Sequence, residues 1–95
     1  MTFDDYARWA ASVPVPDDGH DGVLYLELAL AGESGEVCEV VKKSLRPGRT
    51  LDPERVADEL GDVLWSWLGL CRALDIDPAD VLAHSRAKID KKLGR

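Results

Sequence analysis

The chain is 95 residues long, 45% apolar and 32% charged, with a net charge of −6. That size and apolar content read as one small domain over residues 1–95, able to build a modest core. The acidic balance, with no basic stripe, argues against polymeric nucleic acid as a partner. The apolar runs are too short and interrupted for a membrane span, and the first residues lack the pattern of a secretory signal.

In chain order the periodicity is helical throughout. A short first helix is expected from Phe3 to Ser12, capped by Thr2 or Asp4, with Tyr6, Trp9 and Ala10 on its apolar side. Residues 13–22 hold two prolines and two glycines and read as a loop that includes His20. The second helix is expected from about Val23 to Leu45, ended by Arg46-Pro47-Gly48-Arg49. Asp52-Pro53-Glu54 carries the start signal of a third helix, running to about Leu74: an N-cap, a proline at the first position and an acid in the first turn. Its apolar stripe is Val56, Leu60, Val63, Leu64, Trp67, Cys71 and Leu74, which places Trp67 in the core and Trp65 on the opposite side as an exposed aromatic. Asp77-Pro78 repeats the start signal for a fourth helix through Val81, Leu82, Ile89 and Leu93. Two long helices joined by a short turn lie antiparallel, so the expected fold is an all-α small helical bundle around that pair. Cys38 and Cys71 belong to no metal-ligand or redox motif and are expected as buried thiols in a reducing cytoplasm.

Two pairs of acids carry the chemistry. Glu33 and Glu36 share one helix at i, i+3 spacing, and Glu59 and Asp62 share the next. That spacing points both members of a pair in roughly one direction. On the second helix Leu26, Ala29, Leu30, Val37, Val40 and Val41 define a stripe; Glu33 lies inside it and Glu36 at its edge. Glu59 sits at the margin of the third helix's stripe and Asp62 further round, whereas Glu27 and Glu39 point to solvent. A carboxylate on a buried face has to be protonated, paired or metal-bound. Pairing would fall to Arg55, Arg72 or Arg86. Gly32, Gly35 and Gly61 adjoin the acids, each costing about 1 kcal/mol in a helix relative to alanine. Oxygen donors without histidine or cysteine match a hard cation, Mg²⁺ or alternatively Mn²⁺, rather than zinc or a di-iron centre.

The wider wording of these segments resembles the MazG-like nucleotide pyrophosphohydrolases of the all-α NTP pyrophosphatase superfamily. The matching features are LxLAGExGEVxEVVKK, twenty-two residues between Glu36 and Glu59, and ADELGDVLWSWLGL. The resemblance implies Mg²⁺-dependent hydrolysis of a nucleoside triphosphate, ordinary or modified, to the monophosphate and pyrophosphate. It implies metal ligation by Glu33, Glu36, Glu59 and Asp62, with Glu33 or Glu36 as general base, and assembly as a homodimer or homotetramer. Members often carry Asn-x-x-Lys late in the last helix; this chain has Ser85-Arg-Ala-Lys88, which keeps the lysine as a phosphate ligand and offers a hydroxyl in place of the amide. Lys42 is a second candidate for phosphate, and Tyr25 is one of the aromatics available to a base. The departure at Ser85 is the one hint of the rival reading, a non-catalytic helical interaction module that retains the fold.

Overall fold

A computed structural model describes residues 1–14 and 22–95. The described residues form four α-helices and no strand: α1 (Phe3–Ser12), α2 (Gly22–Ser44), α3 (Pro53–Ala73) and α4 (Pro78–Lys92). The expected loop lies mostly outside the described residues, as does His20.

Three of the helix starts follow from local chemistry. Thr2 forms a capping box on α1: its Oγ1 accepts from the Asp5 N–H at 3.0 Å, and the Asp5 carboxylate accepts from the Thr2 N–H at 3.2 Å. Asp52 and Asp77 accept from the Glu54 and Ala79 N–H groups at 3.0 and 2.9 Å, each just before a proline that has no N–H to satisfy.

The centre of the fold is the antiparallel pair α2 and α3. As α2 advances from Leu26 to Glu33, its neighbour on α3 recedes from Gly69 to Asp62. Gly69 sets the closeness of this approach. A Cβ there would stand 2.9 Å from Leu26 Cδ2, and Leu26 is one of the few buried apolar side chains, with Ala10, Leu68 and Cys71. The α3 face turned to α2 is therefore Glu59, Asp62, Ser66 and Gly69, at i, i+3, i+7 and i+10, with Ser66 buried.

This corrects the sequence expectation. The apolar stripe of α3 does not lie against α2: Leu60 and Leu74 are about half exposed. Trp67 meets Phe3 of α1 edge-on at 6.4 Å, and Trp65 is half-buried against Trp9 at 5.4 Å instead of standing free. Small residues let two helix backbones approach, and that contact outranks the side with more apolar surface. The α1–α3 contact is tied by Arg72, whose Nη1 donates to the Ala10 carbonyl at 2.8 Å. Cys71 is buried as expected; Cys38 is exposed because it lies on the side of α2 away from α3.

After α3 the chain turns tightly. Asp75 takes a φ of 56°, and the Ile76 N–H donates to the Cys71 carbonyl at 2.8 Å. The helix α4 that follows buries no residue and barely touches the others. Among the described residues no helix is long and apolar enough to cross a membrane.

Candidate metal centre

The antiparallel register brings the two acidic pairs together. Glu33 and Glu36 of α2 and Glu59 and Asp62 of α3 each place a carboxylate oxygen so that all four lie within 4.8 Å of one another. Glu33 and Glu59 are half-buried; Glu36 and Asp62 are exposed. The cluster thus has an inner side against the helix pair and an outer side open to solvent.

No ion pair among the described residues neutralises it. Among the described residues the ion pairs are Arg8–Asp5, Lys42–Glu39, Lys43–Glu39 and Arg86–Asp90, all within single helices. Arg72 is engaged with Ala10, and Arg55 lines a cationic cleft of about 290 Å³ with Lys43, Arg46 and Arg49 at the α2–α3 turn. None of the three arginines able in principle to bridge to these acids does so.

The uncompensated charge shows in the protonation equilibria. Burial pushes the Glu33 carboxyl above its ordinary range, and the charges of Glu36 and Asp62 push it further. Glu59 is raised first by a hydrogen bond that its protonated form shares with Glu36, then by burial and by the charges of Glu36, Asp62 and Glu33. Glu33 Oε2 is buried and has no hydrogen-bond partner. A buried, unpartnered anionic oxygen beside three more carboxylates is costly unless a proton or a cation is supplied. The donor set is all carboxylate, which suits a hard divalent ion. These residues fit a divalent metal.

The other predicted positions are not gathered around the four acids. Tyr25 is exposed on α2, eight residues before Glu33, or about 12 Å along the helix. Lys42 lies six residues after Glu36, about 9 Å along, and reaches Glu39 at 3.9 Å. Ser85 and Lys88 are exposed on α4, which stands away from the α2–α3 pair. A groove of about 560 Å³ runs between α1 and the α3–α4 turn, and none of the four acids lines it. Acid spacing alone does not single out Ser66 and Gly69, which position the cluster by letting the helices close; their one sequence signal is a small residue on the same face as Glu59 and Asp62.

Comparison with known proteins places these features in a family. The family model described as the MazG nucleotide pyrophosphohydrolase domain matches residues 22–93, which include the whole acidic cluster. A protein of Mycobacterium phage L5 named as the gene 37 protein is 32% identical over 82 residues, covering 82% of this chain and 72% of the phage protein. No solved structure gave a significant match.

Proposed function

The chain belongs to the MazG nucleotide pyrophosphohydrolase domain family, and from that membership we propose that it hydrolyses a nucleoside triphosphate to the monophosphate and pyrophosphate, with Mg²⁺ held by Glu33, Glu36, Glu59 and Asp62. The observation that carries the proposal is the convergence of four carboxylates from two helices, with no ion pair to any of them among the described residues. A divalent ion bound there supplies charge neutralisation for the polyphosphate and acidifies water. The remaining work falls to the chain's own residues. Glu33 and Glu36 are the candidates to take a proton from the attacking water. The environment of Glu33, which favours its protonated form, moves it toward the pH at which general bases act best. The exposed side of the cluster, at Glu36 and Asp62, is the side from which a substrate can enter.

In this proposal Lys42 and Lys88 bind phosphate oxygens, the Ser85 hydroxyl donates to the same chain of phosphates, and Tyr25 offers a ring for stacking on the base. Ser85 and Lys88 reach the phosphates when α4 lies against the helix pair of its own chain or of another copy.

The test is a panel of ordinary and modified nucleoside triphosphates, incubated with Mg²⁺ and scored for pyrophosphate and monophosphate together. Equal amounts of both products from at least one substrate, lost on chelation, are expected. Release of single phosphates instead would overturn the pyrophosphohydrolase reading, and no product from any nucleotide would leave a non-catalytic helical interaction module as the better description.

A further inference from the structure

We infer that the cleft at the α2–α3 turn is a binding site for a phosphate or pyrophosphate group, separate from the acidic cluster. Four cations line it: Lys43 from the last turn of α2, Arg46 and Arg49 from the connecting turn, and Arg55 from the first turn of α3. In a chain of net charge −6, four of the twelve lysines and arginines stand around this one cleft. Asp52 is the one carboxylate of the lining, and its Oδ1 already accepts from the Glu54 N–H at 3.0 Å. Val40 and Ser44, both half-buried, complete the α2 side.

Local structure accounts for one of the four cations. Lys43 complements the C-terminal dipole of α2, and its Nζ pairs with Glu39 at 3.5 Å. Arg55 stands at the wrong end for that effect, since a cation in the first turn of α3 opposes the helix dipole. Arg46 and Arg49 belong to a hydrogen-bonded turn. The Arg46 N–H donates to the Lys43 carbonyl at 3.3 Å and the Arg49 N–H to the Arg46 carbonyl at 3.1 Å, with Gly48 at a φ of 74°. Glycine takes that positive φ without strain, and the turn it permits leaves both arginines lining the same cleft. Among the described residues none of Arg46, Arg49 and Arg55 makes an ion pair. Like charges gathered in this way repel, and an anion between them relieves the repulsion.

The donors suit phosphorus oxyanions. A guanidinium presents a planar fork of N–H groups to two oxygens of one phosphate, and it stays charged at any working pH. Three such groups and an ammonium match an anion with several oxygens and more than one charge. A monocarboxylate would leave most of them unused. The volume, about 290 Å³, lies at the low end for small-molecule sites. It suits an anion the size of pyrophosphate better than a whole nucleotide. No aromatic ring lines the cleft for a base to stack on.

The cleft and the acidic cluster are distinct places on the same helix pair. Lys43 lies seven residues beyond Glu36 on α2, about 10 Å along the helix, and Arg55 lies four residues before Glu59 on α3, about 6 Å along. None of the four acids lines the cleft. Its cations therefore need no metal to hold an anion. Two sources carry this chemistry: a free phosphate or pyrophosphate anion, and the far phosphates of a nucleotide whose reacting end is at the acids. The second source rests on the function proposed above; the site itself does not.

The experiment titrates the full chain, freed of metal on a chelating resin, with pyrophosphate and with inorganic phosphate at low salt, and follows the arginine side-chain N–H signals by NMR. The expected result is a saturable shift of the Arg46, Arg49 and Arg55 signals with pyrophosphate, at a dissociation constant of about 1 mM or tighter. Acetate at matched ionic strength is expected to leave them in place. Arg46→Gln combined with Arg49→Gln is expected to weaken pyrophosphate binding at least about tenfold. No saturable shift up to about 10 mM pyrophosphate overturns the inference. So does an equal response to acetate, or a folded double variant of unchanged affinity. If the double variant fails to fold, the shifts of the native chain decide alone. The two sources separate in steady-state hydrolysis of the best nucleoside triphosphate. A KM raised in the double variant at unchanged kcat assigns the cleft to the substrate's own phosphates; an unchanged KM, with saturable pyrophosphate binding by the native chain, assigns it to a free anion. Absence of hydrolysis would overturn the proposed function and leave the titration to decide the site.

Discussion

Replacing Glu33 by Gln should stabilise the metal-free protein and remove its stabilisation by Mg²⁺. Glu33 feels Glu36 and Asp62, and is felt by Glu59, so the substitution removes three like-charge interactions. Such pairs on helices cost about 0.2–0.5 kcal/mol each, and water around the exposed Glu36 and Asp62 keeps them toward the low end. The sum is about 0.6 kcal/mol, which raises the thermal midpoint of a chain this size by about 2–5 °C. The pH dependence has a fixed sign. The carboxyl of Glu33 is raised above its ordinary 4.5 in the folded protein, so the folded state holds its proton more tightly than the unfolded state does. Stability from this group is therefore full below pH 4.5 and is lost as pH rises through the folded value. The advantage of the variant should vanish below about pH 4.5 and be complete above the folded value. Mg²⁺ reverses the order. At one hundred times its dissociation constant, a ligand specific to the folded state adds about 2.7 kcal/mol to the native protein, and the variant, short of one ligand, gains far less. The assay is thermal unfolding by circular dichroism at one protein concentration, in chelator and in Mg²⁺. A native protein more stable than the variant in chelator, or equal stabilisation of both by Mg²⁺, refutes the reasoning.

Gly61→Ala should stabilise the chain by about 1 kcal/mol, because nothing lies within 4 Å of the added Cβ and alanine favours the helix. Gly69→Ala should show no such gain and a net loss of up to about 2 kcal/mol, since its Cβ lands 2.9 Å from the buried Leu26; denaturant unfolding of the two variants side by side compares them. Arg72→Ala removes the charged donor to the Ala10 carbonyl and should cost about 1.5–3 kcal/mol, with α1 amides losing hydrogen-exchange protection before those of α3. Asp62→Asn should lower pyrophosphate release at least about 100-fold with the helical spectrum unchanged, because Asp62 is exposed and its replacement is nearly isosteric.

The four acids were legible because a helix repeats regularly. Spacing of i, i+3 put Glu33 with Glu36 and Glu59 with Asp62, and a short turn made the two helices antiparallel. The half-burial of Glu33 follows from the same wheel. What periodicity did not convey is which side of α3 meets α2. The larger apolar stripe pointed one way, while Ser66 and Gly69, with almost no hydrophobic signal, set the contact through the closeness they permit. The misplacements of Trp65 and Leu60 follow from that single difference. Cys38 read as buried because α2 is apolar on two sides, and within one chain one of them is covered. The Arg72–Ala10 bond joins positions 62 residues apart, and no local pattern announces such a pairing.

The central claim is that the four carboxylates form the metal-dependent centre of a pyrophosphohydrolase. It is tested most directly by measuring pyrophosphate release from the best nucleoside triphosphate at saturating Mg²⁺, for the native chain and for Glu36→Gln in parallel. The account predicts steady release by the native chain, abolished by chelation, and a loss of at least about 100-fold in the variant with its helical content intact. Equal release by the two proteins, or release by the native chain that persists in chelator, would contradict it.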